Sequence, residues 1–195
     1  MQATKRGTVT VDPKGIAGDI AYSPERGAFA VARREASWGA CVFMVDVELH
    51  DAATGKLEAK VPLITWDDTR PECAGDGIKA SARGTIAQRA KVAQGVLADL
   101  GFSPATIERG SEPSSKDAAK RTSSFPKHRV GVVAKDGVVR ALRGDTELGH
   151  VTGLELLLAA TYVAELDAIV VTTRRAGREG CEGSDPTEID LLKLP

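Results

Sequence analysis

Aromatic side chains are scarce in this chain: two Trp, two Tyr and four Phe in 195 residues, 4% of the total. A surface that grips bases or sugars by stacking has few residues to draw on. The core must be built mainly from Val, Leu, Ile and Ala. Net charge is also nearly absent, at −1, so no global field favours nucleic acid or an anionic membrane. The basic pairs Lys5-Arg6, Arg33-Arg34, Lys120-Arg121 and Arg174-Arg175 are scattered and read as solvated surface. No apolar run approaches the roughly 18 residues of a membrane helix. The longest, Leu154 to Leu166, is broken by Glu155 and Glu165. The expectation is therefore no nucleic-acid partner and no integral membrane segment.

Cysteines number three, Cys41, Cys73 and Cys181, with no Cys-x-x-Cys pair. That spacing excludes a zinc ribbon and a thioredoxin-type motif. Cys41 lies within an apolar run and reads as a small buried hydrophobe. Cys73 and Cys181 sit among Gly-containing loop residues and form the expected disulfide if the protein is exported. The sequence as written reads as cytoplasmic; removal of a leader would make it periplasmic or extracellular.

What is present is strand-like. Phe29 and Val31 alternate with Ala28, Ala30 and Ala32 after the turn Ser23-Pro24-Glu25-Arg26-Gly27. Cys41 to Met44 is apolar on both faces, which suits a central strand. Val45, Val47 and Leu49 then alternate with Asp46, Glu48 and His50, predicting a strand wet on one side. Asp51-Ala52-Ala53-Thr54-Gly55-Lys56 predicts a hairpin with Gly in the left-handed position. Leu57, Ala59 and Val61 continue the partner strand. Further along, Lys135-Asp136-Gly137 predicts a second tight hairpin between Arg129–Ala134 and Val138–Leu142. Leu154 to Ala164 is open to strand or helix. Ala168–Arg174 and Thr187–Leu194 read as strands.

One helix is expected over 85–101. Ile86, Ala90, Ala93, Leu97 and Leu100 recur at helical spacing. Thr85 or Ser81 can cap its start, and Gly101 stands where a left-handed C-terminal cap belongs. The fold class expected is α+β, mainly antiparallel sheet, with this amphipathic helix packed on a sheet face. The organisation expected is a β-rich part over 1–110, a flexible linker or long loop over 111–127, and a second β-rich part over 128–195 packed with the first as one domain.

The segment Tyr22 to Val31, with Val45-Asp46-Val47 and Asp51-Ala52-Ala53-Thr54-Gly55-Lys56, resembles one blade of a bacterial β-propeller. It is also similar to predicted secreted bacterial proteins with blade-like hairpins. The resemblance spans about 40 residues in one copy, whereas a propeller needs at least four. It implies hairpin geometry and no site residue.

Chemistry-bearing motifs are thin. Thr54-Gly55-Lys56 lacks the first Gly of a phosphate-binding loop, because position 50 is His50, and no helix follows. Asp67, Asp68, Glu72 and Asp76 concentrate carboxylates in one loop and are the candidate metal ligands, since hard cations take oxygens from flexible loops. His50, His128 and His150 make no i, i+4 metal pair. No Gly-x-Ser-x-Gly, His-Glu-x-x-His or Gly-x-Gly-x-x-Gly pattern occurs. Catalytic residues are therefore unassigned and no cofactor is expected. The function expected is a non-catalytic binding or interaction module for a protein or small-molecule ligand, associated with the cell envelope. The alternative is a hydrolase or metal-dependent enzyme using loop 67–76 and His50.

Overall fold

Among the described residues, antiparallel strands and a single α-helix make up the computed structural model, an α+β arrangement. The structure describes residues 7–37, 42–70, 77–113, 120–175, 184–185 and 187–195. Two units divide the chain: Met1–Ala105 with Gly180–Asp185, and Thr106–Glu179 with Pro186–Pro195.

The first unit opens with a small hairpin, β1 (Val11–Asp12) and β2 (Gly15–Ile16). β3 (Ile20–Ser23), β4 (Ala28–Ser37), β5 (Val42–Asp51) and β6 (Leu57–Ile64) follow as an antiparallel meander. β7 (Ser103–Pro104) adds on the far side, giving the order β6-β5-β4-β3-β7. The turn signals sit where the meander reverses: Gly27 has φ 59° and Gly55 has φ 74°, both left-handed values that favour glycine. Register then assigns the faces. Ala30 lies opposite Leu49 and Ala32 opposite Val47, while Phe29, Val31 and Arg33 lie opposite His50, Glu48 and Asp46.

The helix α1 spans Arg83–Asp99. Its buried residues Ile86, Ala90, Ala93 and Leu97 belong to one apolar cluster with Ala28, Ala30, Val45, Val47, Leu49 and Leu63, and Leu100 is partly buried against it. Burying a side chain of Leu size contributes about 1.5–3 kcal/mol. Gly101 has φ 71°. The Phe102 amide donates to the Leu97 carbonyl at 2.9 Å, and the Phe102 ring is buried, so the helix ends as its sequence implies. Its start corrects the capping expectation. A 3-10 turn over Ala80–Ala82 feeds directly into α1, so Ala82 takes the cap position and neither Ser81 nor Thr85 does.

In the second unit, β8 (Ile107–Arg109), β9 (Lys120–Phe125), β10 (Val130–Lys135), β11 (Val138–Arg143), β12 (Thr146–Thr152), β13 (Leu154–Val163) and β14 (Ala168–Arg175) come in turn. β15 (Ser184–Asp185) belongs to the first unit and pairs with β4 at Ser37 and Ala36. β16 (Thr187–Lys193) completes the second unit. Its two four-stranded sheets run β12-β11-β10-β9 and β16-β14-β13-β8. They share one core, with Phe125, Val132 and Val139 from the first and Leu157, Ile169, Val171 and Leu192 from the second. The β10–β11 turn uses Asp136 and Gly137 at φ 52° and 76°, the two positive values a two-residue hairpin turn of this hand requires.

Part of the expected linker is strand. Within 111–127, Lys120–Phe125 forms β9 beside β10. Its polar composition hides the pattern: Ser123 and Phe125 are buried, and the Ser123 hydroxyl donates to the Ser111 carbonyl at 2.7 Å. Small hydroxyl side chains can enter a core when they bring their own acceptor. Cys41, Cys73 and Cys181 lie outside the described residues, and the expectations about them with it.

Candidate functional site

The densest gathering of ionisable groups in the first unit lies on the face of β4 and β5 that the sequence reads as wet. That reading is corrected. Asp46, Glu48 and His50 are 5%, 4% and 2% exposed. Cross-strand partners make this possible, because a buried charge is tolerated only when paired and hydrogen-bonded. Arg33, on β4, donates to Glu48 Oε1 at 3.3 Å and to Glu35 Oε2 at 2.6 Å. Lys60, on β6, reaches Asp46 Oδ2 at 3.5 Å.

His50 is fixed on three sides. Its ring stacks on Phe29 with centroids 5.1 Å apart and planes 12° from parallel. Nδ1 lies 2.9 Å from the Gly55 carbonyl oxygen, and Nε2 lies 3.2 Å from Glu48 Oε2. A carbonyl only accepts, so Nδ1 carries a proton. Nε2 and Glu48 therefore share one proton across their contact. Burial opposes ionisation of Glu48. The His50 hydrogen bond and the Arg33 charge outweigh it and hold the carboxyl below its ordinary range.

A general base needs a lone pair aimed at substrate. Both ring nitrogens of His50 are occupied by the protein's own groups, and the ring is almost wholly buried. The arrangement is chemically a closed chain, Arg33–Glu48–His50–Gly55, that ties two strands to a turn.

The candidate metal ligands divide. Asp67 is exposed, and its carbonyl accepts from Lys79 Nζ at 2.7 Å. Asp68 is buried. Its Oδ2 accepts from the Thr65 amide at 2.8 Å, the Thr65 hydroxyl at 2.9 Å and Arg89 on α1. Burial raises the Asp68 pKa, but these donors, the Thr65 amide foremost, carry it below its usual value. Asp68 thus ties a short 3-10 turn, Trp66–Asp68, to the helix. Glu72 and Asp76 lie outside the described residues. Among the described residues no group of three or more His, Cys, Asp or Glu side chains is placed to hold a metal ion. His50 and Asp68 belong to separate hydrogen-bond networks.

The other histidines sit in the second unit. His128 packs on Tyr162 with ring centroids 3.7 Å apart, and its Nε2 is 3.6 Å from Glu108 Oε2. The Tyr162 hydroxyl donates to Asp167 at 2.9 Å. Burial first, then that bond and the charges of Asp167, Glu108 and Glu165, push its pKa up. His150 Nδ1 contacts Glu147 at 2.6 Å on the exposed β12.

Sequence reading alone misses Arg33, Glu35, Lys60 and Arg89 as partners. The signal that finds Arg33 and Lys60 is register, and Glu35 lies two residues from Arg33 on the same strand. Once the Gly27 and Gly55 turns are placed, Arg33 falls opposite Asp46 and Lys60 falls opposite Glu48.

No family model, curated protein or solved structure matches this chain. Among the described residues no helix is long and apolar enough to cross a membrane.

Proposed function

We propose that the protein is a non-catalytic binding or interaction module for a protein or small-molecule ligand, associated with the cell envelope. One observation carries the reading: the buried ionisable groups among the described residues of the first unit, Asp46, Glu48, His50 and Asp68, are held by the protein's own groups. Glu48 holds Arg33 and His50, Asp46 holds Lys60, and Asp68 holds Thr65 and Arg89. Groups saturated in this way rigidify a scaffold, and binding surfaces work best on rigid scaffolds. In this reading α1 is an amphipathic brace packed on a sheet face through Ile86, Ala90, Ala93, Leu97 and Leu100. The apolar cluster that these residues share with β4, β5 and β6 supports it. The blade-like hairpins of β3 to β6 are the frame it braces.

The test compares wild type with His50→Gln in turnover of ester, phosphoester and peptide substrates, alongside elemental analysis of purified protein. The expected result is no stoichiometric metal and the same background turnover in both. A stoichiometric metal, or turnover abolished by His50→Gln with the fold intact, would establish the hydrolase alternative instead. Cell fractionation with an antibody to the chain tests the envelope assignment, and recovery wholly in the soluble cytoplasmic fraction refutes it.

A further inference from the structure

We propose that the Arg33–Glu48–His50 chain is an acid-sensitive latch that holds the β5–β6 turn closed. The latch reaches the turn at one atom. His50 Nδ1 donates to the Gly55 carbonyl, and Gly55 stands at the turn's left-handed position. Beyond it the turn is closed by its own bonds: the Gly55 amide to the Asp51 carbonyl at 2.8 Å and the Asp51 amide to the Lys56 carbonyl at 2.9 Å. The Ala52 amide, at 2.7 Å from the Gly27 carbonyl, ties this turn to the neighbouring one between β3 and β4.

The charged groups facing the latch come from three strands. Arg33 and Glu35 are on β4, Asp46 flanks Glu48 on β5, and Lys60 on β6 lies opposite Glu48 while reaching Asp46. Glu48 is the only carboxylate of the three that accepts from both Arg33 and His50. Protonating it withdraws one acceptor from two donors at once. The contact between Nε2 and Glu48 then holds a second proton, while Arg33 keeps Glu35. A charge-assisted bond is exchanged for a weaker one to a neutral acid, and the ring is released from Glu48. The Gly55 carbonyl loses its donor when the ring moves.

Glu48→Gln sharpens the inference. A glutamine amide can accept from Arg33 through its oxygen and hydrogen-bond to the ring at Nε2, so it can hold the latch shut. It has no carboxylate to protonate, so the variant latch lacks the opening in the carboxylate range.

The experiment is site-resolved amide hydrogen exchange, corrected for intrinsic rates, from pH 8 down to 3 on the full chain. In the wild type the Asp51 and Gly55 amides are expected to lose at least tenfold protection at a higher pH than the amides of α1. In Glu48→Gln that separate step is expected to vanish, the turn losing protection together with α1. Loss of protection at the turn and the helix together in the wild type overturns the latch, and this comparison needs no variant. A separate turn step that persists at the wild-type pH in a folded Glu48→Gln protein overturns it equally.

Discussion

Replacing Arg33 by Met keeps most of its aliphatic stem and removes its charge, which makes it the sharpest probe of the buried cluster. The guanidinium joins two carboxylates, Glu35 at 2.6 Å and Glu48 at 3.3 Å. Removing one partner from a fully buried ion pair costs about 3–5 kcal/mol, because the other charge is left without compensation. Arg33 is less than fully buried, with a side chain 17% exposed, and Glu48 keeps its His50 contact. The expected loss is therefore about 2–3 kcal/mol, at the low end of that range or just below it. Glu48→Gln should cost less, about 1–2 kcal/mol, since Arg33 keeps Glu35 and the glutamine can still hydrogen-bond. The double variant should be milder than the two losses added, by at least ~1 kcal/mol, because the contact between the residues is then counted once. Urea unfolding of the four proteins at pH 7, followed by circular dichroism, measures all three quantities. Losses that add to within ~0.3 kcal/mol would show that Arg33 and Glu48 do not interact in solution, and the account of how this sheet face buries its charges would fail.

Leu97 is 1% exposed in the apolar cluster, so Leu97→Ala should lower stability by about 2–4 kcal/mol in the same urea assay; a change of a few tenths would mean that α1 does not pack as described. Glu48 and Asp68 both have depressed carboxyl pKa values. Their stabilisation is complete above the unfolded carboxylate range, near pH ~4–5, and is lost as pH falls through the folded values. Acid unfolding of Asp68→Asn should accordingly be less steep than that of wild type, and an identical pH profile would contradict the Thr65 and Arg89 bonds. β6 ends the sheet order, with Lys60 52% exposed and Pro62 within the strand. Such residues guard strand edges against pairing. The double change Lys60→Val and Pro62→Val should produce concentration-dependent association in light scattering, whereas a strictly monomeric variant would show that the edge is protected by something else.

Local physics made some elements legible and hid others. The helix stripe, the glycine turns at Gly55 and Gly137 and the terminal strand follow from spacing and left-handed preference, which are properties of a few neighbouring residues. β12 was not legible because Thr146–Thr152 is half exposed and carries Gly149 within it. β9 was hidden by its polar composition, in which the burial of Ser123 depends on an acceptor at Ser111, outside the strand. The polar face of β5 misled for the same reason. Alternation shows that Asp46, Glu48 and His50 share a side, but not that Arg33 and Lys60 come to meet them there. Contacts between distant residues decide whether a charged side is wet or buried. The partner of Asp68 was hidden in a similar way, because Arg89 is a charged helix residue that an apolar stripe does not reveal.

The pairing of Ser184–Asp185 with β4 has a consequence for biosynthesis. The first unit is interrupted after Ala105 and is resumed only at Gly180. A ribosome that has finished the helix and β7 must still make roughly 75 residues before the last strand of that sheet exists. At bacterial or eukaryotic elongation rates of about 5–20 residues per second, the wait is on the order of 4–15 seconds. During that interval the end of β4 at Ala36 and Ser37 lacks its eventual neighbour. The nascent chain therefore has a defined window of vulnerability, and it closes only when translation is nearly complete. A chain released early, before residue 184, would carry an unfinished sheet in its first unit and would lack β16 in its second, so one premature stop damages both.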